Sequence, residues 1–239
     1  TISAETTERI WQAVRTLNYV PNLNARSLTS QRTNLIGVVI PQTEPGKEFM
    51  FANPFYGELL SAIEYTARRN GYHLLLSGPD PDQSYSQIAR NRSVDGIIIV
   101  GSYPNKSITE LHQLSVPVVL VDTYIKDPVF HTIGIDDRQG GLLATRYLLE
   151  RGHREIAFVS GSVSEQGVTQ RRFLGYMDAL NEAGLALNEK RLYLGTVSFD
   201  FAQSVAEEMR ERGNQETAAF ATADILGMGL IKGLRRLGR

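Results

Sequence analysis

Short runs rich in Val, Ile, Leu or Ala recur along this chain and limit its fold more than any other feature. They are Leu35–Ile40, Tyr72–Leu76, Gly96–Val100, Val118–Val121, Ile156–Val159, Leu192–Leu194 and Ala218–Ala221, each bounded by Gly, Pro, Asp or Ser. Continuous apolar runs of this length suit strands covered on both faces, as in a parallel sheet. Between them lie amphipathic patterns such as Leu59, Ile63 and Ala67, or Leu142, Leu143 and Leu149, with helix stops at Asn70-Gly71 and Arg151-Gly152. Strand–helix alternation predicts an α/β fold of doubly wound parallel-sheet lobes joined by right-handed crossovers. A length of 239 residues is enough for two lobes, each with its own core. The crossing is expected near Ile133–Asp137, which gives lobes at 34–136 and 137–239.

Residues 1–33 are of another kind. Ser3 suits a helix cap with Glu5 in the first turn, and Ile10, Val14 and Leu17 then form one apolar face. Asn18 suits the left-handed residue after a helix end. Pro21 stops that helix, and Asn22–Leu28 has room for about two turns of another, too short to be stable alone in water. Arg9, Arg15, Arg26 and Arg32 stand against only Glu5 and Glu8 in this segment, although the whole chain has a net charge of −1. A small basic head on a near-neutral body points weakly to nucleic acid. The chain contains no cysteine, which excludes disulfides and thiolate metal sites. Nothing reads as a membrane span or an export signal, so a cytoplasmic location is expected.

The ordered set Y-V-P-N, A-R-S-L, I-G-V-V-I-P, V-D-G-I-I-I, G-I-D-D-R-Q-G-G and L-L-E-R-G-H-R-E-I resembles the LacI/GalR family of bacterial transcription regulators. No single motif carries the resemblance; their order along essentially the whole chain does. It implies a periplasmic-binding-protein-like (type I) pair of lobes, preceded by part of a helix-turn-helix headpiece and a hinge helix. Asn22, Asn24, Ala25, Arg26 and Ser27 would then face the minor groove or backbone of operator DNA, with Leu28 as the wedge. An apolar side chain inserted at a base step kinks the duplex, and Arg suits a narrow, negative minor groove. The plain alternative for this stretch is a polar linker. The family pattern also implies two headpiece helices ahead of the first residue and more strands beyond the last, so 137–239 is expected to be an incomplete lobe. The partners implied are operator DNA, a small-molecule effector, most simply a carbohydrate, and a second copy of the chain in a homodimer or higher oligomer.

Ligands of open α/β sheets bind beyond the carboxyl ends of the strands. The residues just past those ends are Phe55 and Tyr56; Ser102 and Tyr103; Asp122, Thr123 and Tyr124; Ser160, Gln166 and Arg172; Phe199 and Asp200; and Thr222 and Asp224. Aromatic faces beside fixed donors and acceptors suit a sugar or a nucleobase-like effector. The effector-binding set selected is Phe55, Tyr56, Ser102, Asp122, Asp136, Arg172, Phe199 and Asp224, with Arg172 at the position before F-L-G-Y where the family places an effector-binding Arg. Each has a plainer reading: Phe55 and Tyr56 as a hydrophobic pair opening a helix, Asp136 and Asp224 as caps, Arg172 as surface charge. The four histidines show no metal-ligand spacing. Gly227, Gly229 and Gly233 mimic a dinucleotide fingerprint but fall within a helix, not in a phosphate turn. No cofactor, metal or catalytic residue is expected. The runner-up is a periplasmic-type solute receptor of the same fold, which has no use for Asn22–Leu28. A Rossmann-class enzyme comes third.

Overall fold

A computed structural model of the chain describes residues 2–19, 32–40, 53–79, 84–91, 94–101, 105–163, 167–213 and 215–238. The first helix, α1 (Ala4–Thr16), begins where Ser3 accepts a hydrogen bond from the Thr6 N–H. It ends before Asn18, whose φ of 48° places it in the left-handed region. No residue of α1 is buried.

The described strands form two all-parallel sheets. In the first, β1 (Leu35–Val39), β2 (His73–Ser77), β3 (Gly96–Val100), β4 (Val118–Val121) and β5 (His131–Ile133) run in the order β2-β1-β3-β4-β5. The second orders β6 (Ile156–Gly161), β7 (Leu192–Gly195) and β8 (Ala218–Ala221) as β7-β6-β8. Register is direct: Val38 faces Leu76 on one side and Ile98 on the other, and Phe158 lies between Leu192 and Phe220. Central strands are shut off from water, with every residue of β6 buried.

Helices cover both faces. Over the first sheet, α2 (Pro54–Arg69) sets Tyr56, Leu59, Leu60 and Ile63 against Val38, Ile40 and Val100. The opposite face is closed by Ile88 of the short α3 (Gln87–Asn91) and by Ile108 and Leu111 of α4 (Asn105–Leu111). Over the second sheet, α5 (Asp137–Glu150) and α6 (Val168–Glu182) pack on Ile156 and Phe158. On its other face, α7 (Phe199–Glu211) and α8 (Asp224–Arg236) pack on Ala157, Val159 and Tyr193. The helix stops expected at Gly71 and Gly152 are there, with φ of 76° and 90°, a conformation that favours glycine.

The structure differs from the sequence pattern at two places. Strand β5 has no counterpart among the expected runs; it is three residues long, exposed throughout, and paired with β4, so no apolar run announces it. The pattern groups Leu143 with Leu142 and Leu149 on one face, yet it is 52% exposed while the other two enter the core. Residues seven apart share a helix face, whereas the neighbour of one of them lies about 100° around. The glycines of the dinucleotide-like pattern lie inside α8. There Gly229 permits close approach, since a Cβ on it would stand 2.3 Å from the Phe199 carbonyl oxygen.

Candidate functional site

Two glycines position the centre of the site. A Cβ on Gly141 of α5 would stand 2.3 Å from the carbonyl oxygen of Arg172, and one on Gly175 of α6 would stand 2.0 Å from that of Arg138. With neither side chain present the helices meet backbone to backbone and run in the same direction, as the ion pairs Arg138–Asp178 (2.6 Å) and Arg146–Glu182 (2.7 Å) record. One turn ahead of the contact, this brings Asp137 against Arg172.

Arg172 is held on two sides. Its Nε donates to Asp137 Oδ1 at 2.8 Å, its Nη2 lies 2.8 Å from the same oxygen, and its Nη1 donates to the Thr222 carbonyl at 2.5 Å. The second carboxylate oxygen of Asp137 accepts from the Tyr124 hydroxyl at 2.5 Å, and the Asp137 N–H donates back to that hydroxyl at 3.2 Å. The Asp137 side chain is 2% exposed and that of Arg172 30%. Behind them the Ser160 and Thr222 hydroxyls share a buried hydrogen bond of 2.7 Å. Tyr124, which leaves β4 in the first sheet, is thereby tied to the first turn of α5, which leads into the second.

Asp122 and Tyr56 complete the cluster. Asp122 comes directly after β4 with φ 55°, left-handed backbone that Asp tolerates better than most residues, and its N–H donates to the Ile133 carbonyl at 2.9 Å. Among the described residues no donor reaches its carboxylate. Burial and the Asp137 charge push the Asp122 carboxyl above its usual range, against the pull of Arg172. The Tyr56 phenol is raised by burial and then by Asp122. The Tyr124 phenol is pushed up to about 12, first by burial and then by its bond to Asp137. The cluster thus brings together a carboxylate that no donor reaches among the described residues, a guanidinium fixed by Asp137 and the Thr222 carbonyl, and a phenol.

Tyr56, Asp122 and Arg172, selected from sequence, thus come together. Phe55 stands beside Tyr56 in an edge-to-face pair at 5.5 Å and is 46% exposed. Asp136 is placed differently: it is exposed, and its carboxylate caps α5 by accepting from the Gln139 N–H at 3.0 Å. The aspartate that enters the cluster is its neighbour, Asp137, which lies outside the set selected from sequence. Phe199 opens α7 under the Lys232 ammonium, 5.8 Å from its ring, and Asp224 lies exposed in the first turn of α8. Among the described residues no hydrogen bond, ion pair or ring contact joins either to the cluster. Ser102, and all of Asn22, Asn24, Ala25, Arg26, Ser27 and Leu28, lie outside the described residues. Tyr124, Ser160 and Thr222 are strand-end residues beyond the selected set; their contacts, not their chemistry, distinguish them.

The fold and the cluster define a class: a two-sheet α/β ligand-binding body with its polar residues at strand carboxyl ends. Residues 33–239 match the family described as periplasmic binding proteins and the sugar-binding domain of the LacI family. The chain is 31% identical over 242 residues to catabolite control protein A of Priestia megaterium, covering 99% of this chain and 70% of that protein. It is also 31% identical over 244 residues to the HTH-type transcriptional repressor PurR of Erwinia tasmaniensis, covering 99% and 69%. Among solved structures it resembles the transcriptional regulator CelR–cellobiose complex, with a TM-score of 0.72 and 26% identity over all of this chain and 71% of that one. The chain belongs to the LacI/GalR family of bacterial transcription regulators, whose members join DNA binding to an effector-binding body. Among the described residues no helix is long and apolar enough to cross a membrane.

Proposed function

We propose that this protein is a cytoplasmic repressor that binds a small polyhydroxylated effector, most simply a carbohydrate, between its two sheets, and that it acts by binding and not by catalysis. The observation that carries the reading is the Asp122–Tyr124–Asp137–Arg172 cluster. A sugar hydroxyl can donate to Asp122 while a neighbouring one accepts from Arg172, and the Tyr56 and Phe55 rings offer a stacking face. The likeness to a cellobiose-bound regulator supports a saccharide over other polar ligands. Tyr124 links the exit of the first sheet to the entry of the second. A ligand that competes for Asp137 or Arg172 therefore changes the relative stability of two lobe arrangements, the thermodynamic content of allostery.

In this reading residues 1–33 serve the DNA, with Asn22, Asn24, Ala25, Arg26 and Ser27 at the minor groove and Leu28 as wedge. Two copies related by a two-fold axis would place their hinges side by side on a palindrome. The alternative of a solute receptor is weaker because similarity to catabolite control protein A spans 99% of the chain and so includes the segment ahead of β1. The test is a thermal-shift screen against neutral mono- and disaccharides, then calorimetry with the best ligand on wild type and Asp122→Asn. Loss of the acceptor carboxylate should weaken binding by about tenfold or more. Unchanged affinity in the variant would remove Asp122 from the site and with it the proposed pose.

A further inference from the structure

One carboxylate gathers the segment that enters the first sheet. Asp95, just ahead of β3, accepts on Oδ1 from the Thr33 N–H at 2.8 Å and the Thr33 hydroxyl at 2.9 Å, and on Oδ2 from the Asn34 N–H at 3.0 Å. Burial works to raise the Asp95 carboxyl, but the Thr33 and Asn34 donors and the charge of Arg32 hold it below its ordinary range. Asn34 stands at φ 55°, in the left-handed region, and its carbonyl accepts from the His73 N–H at 2.8 Å. The Asp95 N–H in turn donates to the Leu35 carbonyl at 2.8 Å. Thr33 closes the turn, its hydroxyl oxygen accepting from the Leu35 N–H at 3.3 Å. This clamp lies at the amino ends of the strands, the opposite end of the sheet from Asp122.

The sheet does not need it. Strand β1 is paired along its length with β2 and with β3, and Asp95 is only half-buried. Among the described residues every hydrogen bond to its carboxylate comes from Thr33 or Asn34, the two residues that lead into β1. Residues ahead of a first strand ordinarily fray unless something ties them down. We infer that Asp95 is a positioning residue for DNA binding: it fixes where and in what direction residues 1–33 leave the body, and so sets the half-site spacing that a two-fold pair of chains accepts. The inference rests on the regulator reading and on two-fold pairing, and not on the identity of the effector. Each base pair inserted between half-sites moves one of them by about 3.4 Å and turns it by roughly 34°. Releasing Thr33 and Asn34 lengthens each tether by up to about 7 Å, since an extended residue spans at most about 3.3–3.6 Å. That slack absorbs a shift of one or two base pairs, and the clamp denies it.

The test uses the full chain joined to a complete headpiece and a palindromic duplex that it selects from a randomised pool. The same duplex is also made one and two base pairs shorter and longer at its centre. Anisotropy titrations at fixed salt should show the wild type preferring one spacing by about tenfold or more. Asp95→Ala should bind the preferred duplex about tenfold more weakly and flatten the preference to within about threefold. Thr33→Val, which keeps both N–H donors and loses the hydroxyl, should fall between. Amide hydrogen exchange at Thr33 and Asn34 should quicken in Asp95→Ala. The spacing profile is a ratio of affinities within one protein, so a partly unfolded fraction cancels from it, and Thr33→Val carries the same readout where Asp95→Ala fails to fold. A wild type that selects no duplex overturns the regulator reading and the inference with it. A sharp preference that both variants keep unchanged overturns the inference alone.

Discussion

Arg172→Ala removes more than a ligand contact. In the folded chain its guanidinium makes two contacts to Asp137 Oδ1 and one to the Thr222 carbonyl. Asp137 is 2% exposed, so its carboxylate loses its charged partner at a place that water reaches only through the space Arg172 leaves. Removing one partner of a buried ion pair costs about 3–5 kcal/mol, because the remaining charge is stranded. Here Arg172 is 30% exposed and Tyr124 still donates to Asp137, so the expected cost is smaller, about 2–3 kcal/mol. Asp137→Asn in the same background removes the stranded charge and should recover about 1–2 kcal/mol. Urea melts monitored by circular dichroism on the wild type, both single variants and the double variant give the coupling energy. With two sheets present the curves are fitted as two transitions, and the one belonging to β7-β6-β8 should move. An Arg172→Ala protein within about 0.5 kcal/mol of wild type would mean that Asp137 is solvated and the cluster is not the closed arrangement described.

Gly175→Ala places a Cβ 2.0 Å from the Arg138 carbonyl oxygen, and Gly141→Ala places one 2.3 Å from that of Arg172, so either must push α5 and α6 apart. A loss of at least about 1–3 kcal/mol in the same melts is expected, with effector affinity falling in parallel, and wild-type melting of either variant would contradict it. Asp122 titrates above its ordinary 3.8, so the folded chain takes up its proton more readily than the unfolded chain, and its contribution to stability falls as pH rises from that value through the folded one. Asp122→Asn should therefore melt higher than wild type at neutral pH and lose the advantage below pH 3.8, which scanning calorimetry at both ends of the range would read. Joined to a complete headpiece, Leu28→Ala should weaken operator binding and reduce the DNA bend without lowering the melting temperature; a destabilised protein with normal bending would refute the wedge.

The architecture was legible because it rests on repetition. All seven expected runs appear as strands, and α5 begins at Asp137 and ends at Glu150 as the pattern implies. Buried parallel strands must be apolar along their whole length, and such runs stand out from polar surroundings. The strand β5 is hidden for the opposite reason. His131, Thr132 and Ile133 are all exposed, and their pairing with Val119, Leu120 and Val121 depends on where β4 already lies. An edge strand defined by its neighbour leaves no pattern of its own.

The site was legible only in part, and the pair Asp136–Asp137 shows why. Both are carboxylates at a helix start, both suit a cap, and composition cannot separate them. What separates them is the direction of the chain on entry: Asp136 turns back to the Gln139 N–H, so the next side chain points into the protein. A signal for Asp137 did exist in two other residues. Gly141 and Gly175 each sit inside a helix, where glycine is costly unless a close contact requires it. Two helices that meet at those glycines and run in the same direction bring together the residues one turn ahead of each. In α5 that residue is Asp137 and in α6 it is Arg172, since three or four positions return to the same helix face. The small residues, and not the charged ones, therefore carried the information about which charges meet.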